Sequence, residues 1–152
     1  MKPISIIGFG KLGSAMGVSF AEKGYKVLVY DKDSSLIEKF KKKKISFKKK
    51  KLSNLLKKNF KRLFFEDDIQ NAIKNSDTSF LIVPTPADKD GSYSLNYIFD
   101  CIKNMSAALN KKKQHNIVLT STVMPQSCND KIIPYIKKKI KKCKINFFYS
   151  PE

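Results

Sequence analysis

The feature that most constrains this chain is Gly8-Phe9-Gly10-Lys11-Leu12-Gly13, which closes a short apolar run starting at Ile4 and opens a stretch with Leu12, Met16 and Phe20 at helical spacing. A G-x-G-x-x-G string alone is weak evidence. Where a strand turns into a helix, however, each glycine has a task. Gly8 makes the tight turn, Gly10 lets a pyrophosphate approach the backbone, and Gly13 lets the helix pack closely on the strand. The phosphates would then face the free N–H groups of the helix N-terminus.

Asp31 closes the next apolar run eighteen residues after Gly13. That is near the spacing of roughly 20 residues at which an acidic side chain accepts the ribose hydroxyls of a dinucleotide. A carboxylate there repels the extra phosphate of NADP, and no arginine stands nearby to receive one. NAD is therefore the expected cofactor, held by Gly8, Phe9, Gly10, Lys11, Leu12, Gly13 and Asp31, with Lys32 as the one neighbour that speaks for NADP.

The alternation of short apolar runs and longer helical stretches continues to the end of the chain. The spacing predicts strands over 4–8, 26–30, 63–66, 79–83, 117–121 and 145–149. Between them it predicts helices over 11–23, from Asp33 as N-cap into the lysine-rich stretch 41–51, and over 52–58, 67–75, 96–109 and 125–142. Strands separated by helical crossovers build a parallel sheet covered on both faces. The expected fold is α/β, a single Rossmann-type doubly wound domain over 1–152, with about six strands in the order 3-2-1-4-5-6.

In that order the ligand crevice opens where strands one and four diverge, at the carboxyl ends of the strands. Those ends carry the unusual residues: Val83-Pro84-Thr85-Pro86, Ser121-Thr122 and Ser150-Pro151-Glu152. Hydroxyls and a carboxylate gathered there suit the orientation of a hydroxyl-bearing substrate or a water. Simple capping by Thr85 and Thr122 would account for one such end more easily than for three.

The formal net charge of +18 raises the question of nucleic acid. All of the 31 basic residues except Arg62 are lysine, and they lack a single locus, recurring in runs at Lys41 to Lys44, Lys48 to Lys51, Lys111 to Lys113 and Lys137 to Lys142. Base-edge readout favours arginine's planar fork, so a solvated surface is expected and no nucleic-acid partner. No apolar run reaches the ~18 residues of a membrane span, and the N-terminus lacks a secretory pattern. Cys101, Cys128 and Cys143 are widely spaced, and His115 is the single histidine. No metal site is expected, and the thiols are read as reduced core or surface groups of a cytoplasmic protein. His115 is read as a solvated residue in a turn before strand five.

The set G-F-G-K-L-G, V-P-T-P-A-D-x-D-G-S, S-T-V-M-P and Y-S-P-E, in this order, resembles the UDP-glucose/GDP-mannose dehydrogenase family over nearly the whole chain. The resemblance implies oxidation of the primary alcohol of a nucleotide-linked hexose to a carboxylate by two hydride transfers to NAD, as in polysaccharide biosynthesis. It implies that Leu12 and Asp31 contact the cofactor, that Thr85 and Thr122 lie close to it, and that Thr122 and Glu152 border the sugar and serve catalysis. It also implies a central helix, a second domain with a catalytic cysteine and lysine, and a homodimer of the full-length enzyme. These 152 residues lack those parts, so the expectation is an NAD-binding portion that is inactive alone.

Departures from the family pattern are local. Lys49-Lys50-Lys51 replaces a common Glu-Pro-Gly, Leu36 stands where a lysine often helps bind the adenosine part, and Gln126 stands where glycine is usual. The rival readings are another two-domain dehydrogenase of the 6-phosphogluconate or 3-hydroxyacid type, and a non-catalytic dinucleotide-binding module.

Overall fold

Strands of this chain can be nearly continuous in Val, Ile and Leu because both faces of a parallel sheet are covered. The structure is a computed structural model and describes residues 1–45, 47, 50–89 and 91–151. The expected site residue Glu152, and Lys48 and Lys49 of the lysine-rich stretch, lie outside the described residues. Six parallel strands, β1 (Ile4–Ile7), β2 (Val27–Tyr30), β3 (Leu63–Phe65), β4 (Thr78–Leu81), β5 (Gln114–Leu119) and β6 (Lys144–Tyr149), form one sheet in the order β3-β2-β1-β4-β5-β6. This is the expected Rossmann-type arrangement. Ile4 of β1 pairs with Val27 on one side and Thr78 on the other, so the winding reverses between β1 and β4.

Right-handed crossovers send the helices of the two halves to opposite faces. Helices α1 (Lys11–Glu22), α2 (Ser34–Lys41) and α3 (Lys50–Asn59) bury Val18, Phe40 and Leu56 against Ile6 and Val29. Helices α4 (Ile69–Lys74), α5 (Asn96–Leu109) and α6 (Ile133–Lys139) bury Ile73, Ile102 and Ile136 against Ile7, Leu81 and Leu119. Each fully buried aliphatic side chain stabilises the fold by about 1.5 to 3 kcal/mol. Among the described residues, no helix is long and apolar enough to cross a membrane.

Local chemistry sets the ends. Asp33 caps α2 as expected, its Oδ1 accepting from the N–H groups of Ser35 at 2.9 Å and Leu36 at 3.1 Å. The helix expected over 67–75 starts at Ile69: Asp68 caps it by accepting from Gln70 N–H at 2.9 Å, while Asp67 pairs with the Lys41 ammonium at 2.7 Å. The helix expected over 125–142 is a π-helical turn, Cys128–Ile132, followed by the shorter α6. Pro134 explains the break: it has no N–H to give, and its ring presses on the carbonyl four residues back, which a widened turn relieves. Strand β5 starts at Gln114, ahead of the expected 117, and this draws His115 into the sheet opposite Ile145.

Candidate functional site

The glycine loop divides its tasks as the motif predicts. Gly8 has φ +97°, and a Cβ there would stand 2.1 Å from the Ile82 carbonyl oxygen. A Cβ on Gly13 would stand 1.9 Å from the Gly8 carbonyl oxygen, so strand and helix meet with no room for a side chain. A Cβ on Gly10 would meet nothing within 4 Å. The backbone at Gly10 therefore faces open space, where a phosphate can approach it.

Phe9 does not line the cleft and meets Asp31 through its backbone N–H only. Its side chain is fully buried, with its ring 4.8 Å from that of Phe40 and 5.9 Å from that of Phe65. Its N–H donates to Asp31 Oδ2 at 2.6 Å, and the Asp33 N–H donates to Asp31 Oδ1 at 2.9 Å. Both carboxylate oxygens are thus fixed by backbone, and each keeps a further lone pair for a ligand hydroxyl. Asp31 is partly exposed at the rim of a cleft of about 750 Å³ that Gly10, Lys11 and Leu12 also line. That volume lies within the range of small-molecule and cofactor sites. An open glycine cradle, a helix N-terminus and a pre-oriented carboxylate side by side fit the pyrophosphate and ribose of NAD.

The carboxyl ends of β4 and β5 are tied together just beyond the cleft wall. Ser121 Oγ accepts from the Val83 N–H at 2.9 Å and donates to the Val83 carbonyl at 2.7 Å. Thr85 Oγ1 donates to the Thr122 carbonyl at 2.7 Å, so the two expected site residues are brought together, Thr122 exposed and Thr85 half-buried. Tyr149 hydroxyl accepts from the Val123 N–H at 3.2 Å, anchoring the loop after β5 to the end of β6. Gln126 in that loop has φ +67°, a left-handed conformation that explains why glycine suits the position better.

Two roles escaped sequence reasoning. Ser121, singled out only as a hydroxyl at a strand end, is the staple between β4 and β5. Cys101, read as an ordinary thiol, lies in the cleft wall together with Tyr97, Asp100 and Asn104 of α5. Burial above all, then the carboxylates of Asp100 and Asp31, push the Cys101 thiol up to about 11, so it stays protonated and is no nucleophile. The signal was there, because 97, 100, 101 and 104 fall on one face of a helix that follows the crevice strand.

His115 is a correction. It is 1% exposed, not solvated, and its Nε2 lies 2.7 Å from Ser79 Oγ. Ser79 Oγ is 2.6 Å from Ser5 Oγ, which is 3.0 Å from Ser76 Oγ, and Ser76 donates to the Ala72 carbonyl at 2.8 Å. This polar chain crosses β5, β4 and β1 at their amino ends. Burial, and secondarily the Lys112 ammonium, lower the His115 pKa to about 4, against a smaller opposing pull from Asp77. Nδ1 has no hydrogen-bond partner among the described residues.

The sequence profile described as UDP-glucose/GDP-mannose dehydrogenase family, NAD binding domain, matches residues 2–152. UDP-glucose 6-dehydrogenase of Rickettsia typhi is 36% identical over 138 residues, which is 90% of this chain and 31% of that protein. GDP-mannose 6-dehydrogenase of Pseudomonas aeruginosa is 31% identical over 137 residues, 88% of this chain and 31% of that protein. A ternary complex of GDP-mannose dehydrogenase from Pseudomonas aeruginosa superposes with a TM-score of 0.90 at 30% identity, covering 100% of this chain and 36% of that one. A UDP-glucose dehydrogenase from Pyrobaculum islandicum gives 0.91 at 26% identity, with the same coverage of 100% and 36%. The chain thus spans about a third of the length of these relatives.

Proposed function

Given that the chain belongs to the UDP-glucose/GDP-mannose dehydrogenase family and is its NAD-binding domain, we propose that it serves an enzyme oxidising the primary alcohol of a nucleotide sugar to a carboxylate. NAD supplies the hydride acceptor for that chemistry. In this reading the N–H groups after Gly10 take the pyrophosphate, and Asp31 accepts the adenosine ribose hydroxyls. Thr85 and Thr122 stand beside the nicotinamide, and Thr122, with Glu152, orients the sugar hydroxyl or a water. The observation that carries the reading is the Asp31 carboxylate, held by Phe9 and Asp33 N–H at the rim of the cleft next to a glycine whose absent side chain leaves the approach open.

Calorimetric titration with NAD and NADP tests the cofactor part. NAD binds more tightly, and Asp31→Ala weakens it by about 1 to 3 kcal/mol, the scale of a lost charge-assisted hydrogen bond. Equal or tighter binding of NADP would sink the assignment of Asp31. The chemistry needs a nucleophile to hold the aldehyde for the second oxidation. None of the three cysteines stands beside Thr122: Cys101 is on α5, Cys128 in the π-helical turn, and Cys143 is buried before β6. The 152-residue chain alone therefore gives no sustained NADH formation from UDP-glucose or GDP-mannose. Turnover by the purified chain, free of any longer enzyme, would refute that division of labour.

A further inference from the structure

Resting on the cofactor reading above, the inference concerns the side of the cleft away from the glycine loop. If the pyrophosphate lies over Gly10 and the ribose on Asp31, the base attached to that ribose must occupy the remaining walls. Leu36 of α2, Ile69 of α4 and the face of α5 carrying Asp100 and Cys101 line the cleft there. Leu36, Ile69 and the protonated Cys101 thiol offer an uncharged slot for a flat ring. Asp100 sits beside that slot, close enough to Cys101 for its charge to help hold the thiol protonated.

Glu22, Glu38, Asp67 and Asp77 each pair with an ammonium, which occupies their acceptor oxygens. Among the described residues Asp100 forms no ion pair, although it is exposed in the wall of the cleft. A carboxylate accepts hydrogen bonds and donates none. Adenine presents a matching donor, the exocyclic amine at the purine 6-position, which a purine with hydrogen there lacks.

We propose that Asp100 is a specificity-determining residue for the base of the dinucleotide: it accepts a hydrogen bond from the exocyclic amine of adenine, while Leu36, Ile69 and Cys101 enclose the ring. The glycine loop and Asp31 read phosphate and ribose, which all dinucleotides share, and Asp100 reads the part that differs.

A double-mutant cycle with a chemically altered ligand tests this. The 152-residue chain and its Asp100→Ala variant are titrated with NAD and with the analogue in which a plain purine, with hydrogen in place of the amine, replaces adenine. The unaltered chain binds NAD about tenfold more tightly than the purine analogue, the ratio expected for one hydrogen bond to a charged acceptor. In Asp100→Ala the two ligands bind within about twofold of each other, the loss falling on NAD. Because Asp100 is exposed, both chains melt at the same temperature, which separates a lost contact from a lost fold. Equal binding of the two ligands by the unaltered chain, or an unchanged ratio in Asp100→Ala, overturns the proposal and leaves the cofactor reading standing. Failure of a folded, unaltered chain to bind NAD at all removes both.

Discussion

The two ends of the sheet handle polar groups in opposite ways. At the carboxyl ends, Asp31 and Ser121 bond to backbone N–H and C=O groups, and Asp31 keeps acceptor capacity turned toward a cleft. At the amino ends, Ser5, Ser76, Ser79 and His115 bond to one another in the interior. A cavity of about 560 Å³ also lies at that second end, lined by Lys2, Asp77, Lys112 and His115. Three of its charged side chains are already engaged: Lys2 pairs with Asp77 at 3.0 Å, and Lys112 donates to the Ile73, Lys74 and Ser76 carbonyls at the end of α4. The difference teaches that the presence of a cavity does not by itself mark the site in this fold. Exposed polar groups held by backbone, with acceptor capacity turned toward the cleft, do, and the topology puts them where strands one and four diverge.

The largest expected effects come from two glycines of one loop. Gly13→Ala places a methyl on the Gly8 carbonyl, and overpacking of backbone against backbone costs about 3 kcal/mol or more. Urea unfolding shows it as a collapse of the midpoint. Gly10→Val adds bulk to open space, so the chain unfolds at nearly the same urea concentration, yet NAD affinity falls by at least about a hundredfold because the methyls occupy the phosphate path. If Gly10→Val unfolded the chain or left NAD binding intact, the functional end would be no different from the structural one.

The amino end is broken by pH. The folded pKa of His115 is lowered, from 6.5 to about 4. The unfolded chain therefore binds a proton in that interval that the folded chain refuses, and stability is lost as pH falls from about 6.5 toward 4. The full loss is roughly 3 kcal/mol, at ~1.4 kcal/mol for each pH unit. Lys112 and Asp77, the charged groups that face the ring, stay charged over most of this range. Carboxylates also titrate at its acid end, so the measurement is the difference between the unaltered chain and His115→Gln in urea melts from pH 7 to pH 4.5. Parallel curves would mean that the imidazole is not shielded from solvent.

Much of this was legible in the sequence because period and punctuation agree. The strand order, the α1 and α5 boundaries and the Asp33 cap follow from apolar spacing and capping residues alone. The three glycines could be given separate tasks before any coordinates, since each task is dictated by backbone geometry. The failures have one cause. His115 looks solvated because its neighbours Lys113, Gln114 and Asn116 are polar, yet its partner Ser79 lies 36 residues away, and Ser5, which bonds Ser79 in turn, lies 110 away. A serine inside Ile4-Ser5-Ile6 was the only local hint that a buried strand carried a polar partner. Cys101 and Asp100 were missed for a similar reason, as a helix face acquires its meaning only when the crevice it borders is known.

The smallest expected effect is a gain, and it lies on the functional end. Gln126 holds φ +67° in the turn that leads from Thr122 into the π-helical segment, where its carbonyl accepts from the Asp130 N–H at 3.0 Å. A left-handed backbone costs a residue with a Cβ about 1 to 2 kcal/mol, and glycine nothing comparable. Glycine also has more freedom to lose on folding, a cost of about 0.4 to 1 kcal/mol that offsets part of the benefit. Gln126→Gly should therefore raise stability by about 0.5 to 1 kcal/mol, read as a higher urea midpoint at unchanged slope. The side chain is exposed, so little packing is lost. Because the Thr85 bond to the Thr122 carbonyl and the Tyr149 bond to Val123 already hold this loop from both sides, NAD affinity stays the same within about twofold. A fall in stability would show that the Gln126 side chain contributes a contact worth more than the strain it imposes.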